Sequence, residues 1–318
     1  MATGSGTTLA DVGEFGLIDA LRPIFAQGDS VIVGPGDDAA VLAVPSGEVV
    51  VSTDLLVEGR HFRRDWSAAR DTGRKAAAQS LADVMAMGGT GTGLVVGFGA
   101  PADLPLSWAL ELAEGLADES AVVGASVLGG DVTRSDQIVI AVTVLGGCEH
   151  PPVRRDGARP TDVVALAGRI GWAAAGQAVL ARGFRSPRVV VEAHRRPEPP
   201  YTEGPRAAEF GATAMIDVSD GLLADLGHIA AASRVAIDVH ADAFEVADPL
   251  RAVGAALGVD PLGFLLTGGE DHPLAASFPA GVKLPATWTV IGSVAEGEGV
   301  TVDGEEYDGP RGNDHFRS

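Results

Sequence analysis

Cysteine occurs once in the 318 residues, at Cys148. That excludes an intrachain disulfide and any CxxC site, and it fits a reducing cytosol. Cys148 closes the apolar stretch VLGGC and is expected to be a packing residue. Lysine is nearly as scarce, with only Lys75 and Lys283. Neither follows a glycine-rich loop, so the phosphate cradle GxxxxGK[ST] is missing. Any phosphate chemistry must then use metal ions, arginine and backbone amides. Positive charge is short overall: 43 Asp and Glu face 23 Lys and Arg, a formal net charge of −20. Such a surface repels nucleic acid and anionic membranes. No uncharged run reaches ~18 apolar residues, so no membrane-spanning helix is expected. The start, MATGSGTTLADVGEF, has neither the basic end nor the apolar centre of a signal peptide. A cytoplasmic protein without nucleic-acid or membrane partners is expected.

Apolar residues are plentiful at 46%, enough for sizeable cores. At ~150 residues per domain, the length suggests two domains. The stretch EHPPVRRDGARPTD, rich in Pro and charge, marks the expected boundary. The division is 1–150 and 151–318. Glycine, 43 residues mostly beside acids and at the ends of apolar runs, favours α/β turns.

Residues 1–10 are expected to be disordered, and Glu14–Phe25 to form a short amphipathic helix. Two strands should flank the acidic turn Gly34-Pro35-Gly36-Asp37-Asp38. The β-branched run Val49-Val50-Val51 reads as a buried strand delivering Ser52, Thr53 and Asp54 to its C-terminal lip. Asp71–Gly88 predicts a helix with Asp83 inside an apolar patch, where an ionised carboxylate needs a partner or a cation. Gly93–Gly99 is a strand, Leu104–Val123 a helix, and Ala125–Gly130 a strand ending in Asp131. Gln137–Gly146 is a further strand. In the second half, Asp162–Ala167 is a strand, Gly171–Arg182 a helix, and 183–206 a loop. Ala214–Gly221 (AMIDVSDG) is a strand ending in Asp217, Ser219 and Asp220, followed by a helix Leu222–Ser233. Val235–Val239 and Trp288–Val294 are strands. Between them an apolar run, FLLT, leads through Gly268-Gly269 to Glu270 and Asp271.

Five or six segments thus deliver Asp at the end of an apolar run, often with Ser or Thr. The acids are Asp37, Asp38, Asp54, Asp83, Asp131, Asp217 and Asp220. They are hard oxygen donors, and clustered His or Cys is missing, so Mg²⁺ suits them better than zinc or iron. A cleft holding several Mg²⁺ ions and a polyphosphate is the reading these residues support. Each acid also has a plainer reading as a turn residue or helix cap, and the pattern alone names no substrate.

The strings GPGDDAAVL, STDLLVEGRHF, SLADVMAMG, LGGDVTR, IDVSDGLLADLGHI, LTGGEDHPL and DHF, in this order, closely resemble the thiamine-monophosphate kinase family. The match runs from about Gly13 to Phe316. This family belongs to an ATP-binding superfamily with aminoimidazole ribonucleotide synthetase. The resemblance implies an α/β (α+β) fold of two domains. An N-terminal sheet would pair into a barrel across a homodimer, and a C-terminal α/β sandwich-like domain would complete the cleft. It implies transfer of the ATP γ-phosphoryl to thiamine monophosphate with Mg²⁺, and no covalent catalyst among the side chains. Position by position, it implies Mg²⁺ ligands at Asp38, Ser52, Thr53, Asp54, Asp83, Asp131, Asp217 and Asp220, with Asp37 beside them. It implies ATP contacts at Gly130, Asp131, Arg155 and Ser219. Substrate contacts fall at His61 and Glu270, with Asn313 and Phe316 near the end of the chain. The chain departs from the family at His272 and Pro273, where an aromatic residue and an acid are common. It departs again at Asn313, where an aromatic residue is common. The rivals are an aminoimidazole ribonucleotide synthetase-like enzyme and a non-catalytic nucleotide or divalent-ion binding module.

Overall fold

The computed structural model describes residues 7–34, 40–44 and 47–313. The expected ligands Asp37 and Asp38, and the expected contact Phe316, lie outside them. The chain divides into two compact units, Met1–Val84 with Thr90–Gly147 and Met85–Gly89 with Cys148–Ser318.

The first unit carries helices α1 (Leu9–Leu21), α2 (Ala69–Ala86, its last two residues counted with the second unit) and α3 (Leu106–Val122). Its strands are β1 (Val31–Val33), β2 (Val41–Leu42), β3 (Val50–Val57), β4 (Thr90–Ala100), β5 (Ser126–Arg134) and β6 (Val139–Gly147). The main sheet runs β3-β6-β4-β5, antiparallel except for the β4–β5 pair. The helix expected over Glu14–Phe25 starts earlier, so Leu9 and Ala10 are ordered rather than disordered. The reason is local: Asp11 accepts from both the N–H and the hydroxyl of Thr8 at 2.8 Å, which fixes the first turn. Gly13 kinks the helix with φ 67°, and Pro23 lies in a 3-10 turn, Arg22–Ile24, that follows it.

One face of the main sheet is covered. Val142 and Val144 of β6 and Leu94 of β4 are fully buried there. On the other face Val51 is 59% and Leu55 55% exposed. That contrast follows from the two-residue period of a strand. Helices α2 and α3 meet through glycine. A Cβ on Gly73 would lie 2.0 Å from the Leu112 carbonyl oxygen, and one on Gly115 2.0 Å from that of Arg70. Arg70–Asp118 and Arg74–Glu119 ion pairs flank this contact.

The second unit is built on a six-stranded mixed sheet. Its strands are β7 (Val163–Ala167), β8 (Ala214–Asp217), β9 (Ala236–Val239), β10 (Leu274–Phe278), β11 (Trp288–Ala295) and β12 (Gly299–Val302). The order is β12-β9-β11-β7-β10-β8, with only β12–β9 parallel. Helices α4 (Trp172–Ala181), α5 (Arg188–Arg195), α6 (Glu203–Glu209), α7 (Leu222–Ser233), α8 (Asp248–Leu257) and α9 (Leu262–Thr267) complete it. The fold is therefore mixed α/β, as expected. The segment 183–206 is not a plain loop, because α5 and the start of α6 lie in it. Prolines at 187, 197, 199 and 200 bracket α5 rather than interrupt it. Val190, Val191 and Ala193 are buried. Gly176 lets α4 meet α5 closely, since a Cβ there would lie 2.0 Å from the Val190 carbonyl oxygen.

Candidate functional site

In the first unit, β3 and α2 bring together three of the expected donors, Ser52, Asp54 and Asp83. Ser52, Asp54 and Leu56 alternate on one face of β3, and Leu56 is fully buried. Gln79 and Asp83 stand four residues apart on one face of α2. Ser52 Oγ donates to Asp83 Oδ2 at 2.5 Å. Asp54 accepts from Gln79 Nε2 at 3.0 Å on one oxygen and from Ser80 Oγ at 2.8 Å on the other. Neutral donors orient the Asp54 carboxylate but leave its charge uncancelled, and no ion pair reaches it among the described residues.

The strand does not end at Asp54, as expected, but continues through it to Val57. Thr53 consequently points to the opposite, open face, where its hydroxyl lies 3.0 Å from that of Thr143. Its side chain does not join Ser52 and Asp54. Asp131 lies inside β5, beyond the expected end of that strand, in the row Leu55–Ala141–Gly97–Asp131. Paired residues share a face, so Asp131 shares the open face with Thr53. Gly130 has a structural reason to be glycine: a Cβ would lie 1.8 Å from the Val96 carbonyl oxygen. His61 follows β3 in a turn, and its Nδ1 accepts from the Val57 N–H at 3.0 Å. In the neutral ring Nε2 then carries the proton and is a donor. Lys75, buried, donates to the His61 carbonyl at 3.2 Å.

In the second unit the acids converge on the turn after β8. Asp217 ends that strand, 4% exposed, and its Oδ2 lies 3.0 Å from Nδ1 of His272. The backbone N–H groups of Ser219, Asp220 and Gly221 all donate to one oxygen of Asp225, at 3.1, 3.1 and 3.0 Å. Burial pushes the Asp225 carboxyl up to about 7; these N–H groups oppose the rise and the charge of Asp217 adds to it. Glu270 N–H bonds to the Ser219 carbonyl at 2.8 Å, and Asn313 N–H to that of Asp220 at 2.9 Å. Gly269 permits this approach, since a Cβ would lie 2.0 Å from Ser219 O. Glu270 and His272 both take left-handed backbone, at φ 67° and 54°. Glu270 faces the buried His194 of α5 at 3.3 Å. Asp271 accepts the Ala173 N–H at 3.0 Å on both oxygens. Burial pushes it, too, up to about 7, opposed by that N–H and the charge of Arg169. Arg155 is exposed, and its carbonyl accepts from Ser233 Oγ at 2.8 Å.

Sequence reasoning did not find Gln79, Ser80 or His194 as site residues. Gln79 and Ser80 carried a signal, since they stand on the same helix as Asp83. His194 carried none, lying 76 positions from Glu270. The assembled donors, hydroxyl and carboxylate oxygens, have the chemistry that suits Mg²⁺. Among the described residues no three His, Cys, Asp or Glu side chains form a ready cage. No helix there is long and apolar enough to cross a membrane.

A family model described as AIR synthase related protein, N-terminal domain, matches residues 36–148. The thiamine-monophosphate kinase of Mycobacterium tuberculosis is 47% identical over 312 residues, covering 97% of this chain and 93% of that protein. The crystal structure of thiamine-monophosphate kinase from Stenotrophomonas maltophilia K279a is similar with a TM-score of 0.82 at 33% identity, covering 93% of this chain and 98% of that one. AaThiL complexed with AMPPCP and TMP is similar at TM-score 0.81 and 32% identity, covering 98% and 99%.

Proposed function

The chain belongs to the thiamine-monophosphate kinase family, and we propose that it transfers the γ-phosphoryl of ATP to thiamine monophosphate, giving thiamine diphosphate and ADP. The observation that carries this is identity of 47% along 97% of the chain. The AaThiL complex, holding AMPPCP and TMP together, supports a nucleotide and an acceptor bound at once.

Phosphoryl transfer demands positioning and charge neutralisation more than covalent chemistry. The acceptor is already an ionised phosphate, so no strong general base is needed. Transfer is direct and in line, with no phosphoenzyme. Mg²⁺, when bound, would supply charge neutralisation for the phosphates of both substrates. Ser52, Asp54 and Asp83 in the first unit, and Asp217 and Asp220 in the second, are the residues that would serve as its ligands. Gln79 and Ser80 keep the Asp54 carboxylate turned for that purpose. Thr53 and Asp131, both on the open face, are further proposed ligands, as are Asp37 and Asp38. Gly130, Arg155 and Ser219 contact ATP, and the Arg155 guanidinium adds positive charge. His61, donating through Nε2, orients the thiamine substrate with Glu270, Asn313 and Phe316. The reaction is placed in the cytoplasm.

A second copy of the chain covers the open face of the first sheet and closes it into a barrel. The exposure of Val51 and Leu55 supports this, since a strand row of that kind is costly in water. Leu55→Glu should convert a dimer into a monomer in sedimentation velocity; an unchanged dimer would refute this interface.

The test of the reaction is direct. Protein with ATP, Mg²⁺ and thiamine monophosphate should yield thiamine diphosphate and ADP in equal amounts. Turnover of an aminoimidazole precursor instead, or nucleotide binding without turnover, would overturn the assignment.

A further inference from the structure

We propose that His272 is a positioning residue for Asp217. It binds one carboxylate oxygen so that the other is presented to a divalent cation. This rests on the reading of Asp217 as a cation ligand.

The geometry is built from backbone pairing outward. Strand β10 pairs with β8 so that Leu274 stands opposite Asp217. The ladder runs on past both strands, with Val218 N–H on the Pro273 carbonyl at 2.8 Å and His272 N–H on the Val218 carbonyl at 3.2 Å. His272 and Pro273 are therefore each tied to Val218, the residue after Asp217, by one of its two backbone groups. The preceding residue, Asp271, is anchored on the Ala173 N–H. Between these anchors the chain passes through the left-handed region at His272, and its ring is delivered to Asp217 with only 3% exposure. A conformation that side chains rarely adopt, held from both ends, gives the ring little freedom to leave.

The chemistry follows from donor and acceptor capacity. An ionised carboxylate only accepts, so the proton of a neutral His272 ring sits on Nδ1 and is donated to Oδ2. Among the described residues no other side chain hydrogen-bonds to Asp217, and Asp225, close enough to feel its charge, is another acid. With His272 on Oδ2, the other oxygen of Asp217 keeps its acceptor capacity. Partners of this kind orient ligands to metals without touching the metal.

The experiment measures Mn²⁺ binding to the full chain with AMPPCP present, by electron paramagnetic resonance of free Mn²⁺. His272→Leu should weaken binding by about tenfold. His272→Asn should retain wild-type affinity, because its amide nitrogen replaces Nδ1 and Asn tolerates left-handed backbone. Wild-type affinity in the Leu variant, or equal loss in both, would overturn the proposal. Melting without cation verifies that the variants are folded. If the Leu variant does not fold, Asn is set against Gln, whose amide lies one carbon further out, and equal affinity in that pair overturns it. Asp217→Asn separates the two levels of the argument. Unchanged binding there removes Asp217 as a ligand altogether. Weakened binding there, with His272→Leu unaffected, removes only the role of His272.

Discussion

In the first unit the acids stand on the sides of regular elements, Asp54 on β3 and Asp83 on α2, and are half-buried. Hydroxyl and amide side chains hold them. In the second unit Asp225 and Asp271 are buried, and backbone N–H groups occupy one oxygen of Asp225 and both of Asp271. Side-chain donors hold Asp54 and Asp83 on regular elements, whereas burial pushes Asp225 and Asp271 up to about 7. The same residue type therefore serves as a usable charge in one unit and as a brace in the other. Only Asp217 and Asp220, at the turn those braces support, stand apart from this division.

Three substitutions probe the contrast. Asp54→Ala should cut turnover by roughly 10²–10³-fold, the scale of losing one preorganised charge-stabilising group. Its unfolding midpoint should stay close to wild type, because Gln79 is half-exposed and the buried Ser80 hydroxyl keeps the Val142 carbonyl as an acceptor at 3.3 Å. A stability loss matching the activity loss would erase the distinction. Asp225→Ala should do the reverse and destabilise the fold by roughly 3 kcal/mol, since a turn is left with N–H groups lacking their acceptor. Urea titration measures it, and an unaltered midpoint would show that the turn holds without its brace.

The third effect is a pH dependence. The folded pKa of Asp271 is raised to about 7 from an ordinary 3.8, so its ionisation opposes folding. The favourable contribution is complete below pH 3.8 and is lost as pH rises through about 7. Asp271→Asn should therefore gain on wild type as pH rises across that window, and hold a constant difference above it. Parallel melting curves from pH 4 to 8 would contradict the raised value.

Much of this was legible in the chain. Alternation in VVVSTDLLV and the small-residue periodicity of α2 place Ser52, Asp54 and Asp83 without coordinates. The ends of strands were not legible. Polar residues such as Thr53 and Asp131 read as terminators, but ladder pairing with β6 and β4 carries both strands past them. Two helices hid among the prolines of 183–206, because the burial that stabilises α5 comes from α4 rather than from its own composition. The partners of the second unit were invisible for the same reason: His272 lies 55 positions from Asp217 and has meaning only once β10 pairs with β8.

The glycine contact between α2 and α3 has a consequence for reading mutants. Gly73 lies two to three turns before Gln79, Ser80 and Asp83 on the same helix, about 9–15 Å away at helical rise. A methyl group there would push the whole rod off its neighbour and swing those three side chains away from β3. Damage at Gly73 or Gly115 would then pass for a fault in the chemistry, although neither residue comes near a reactant.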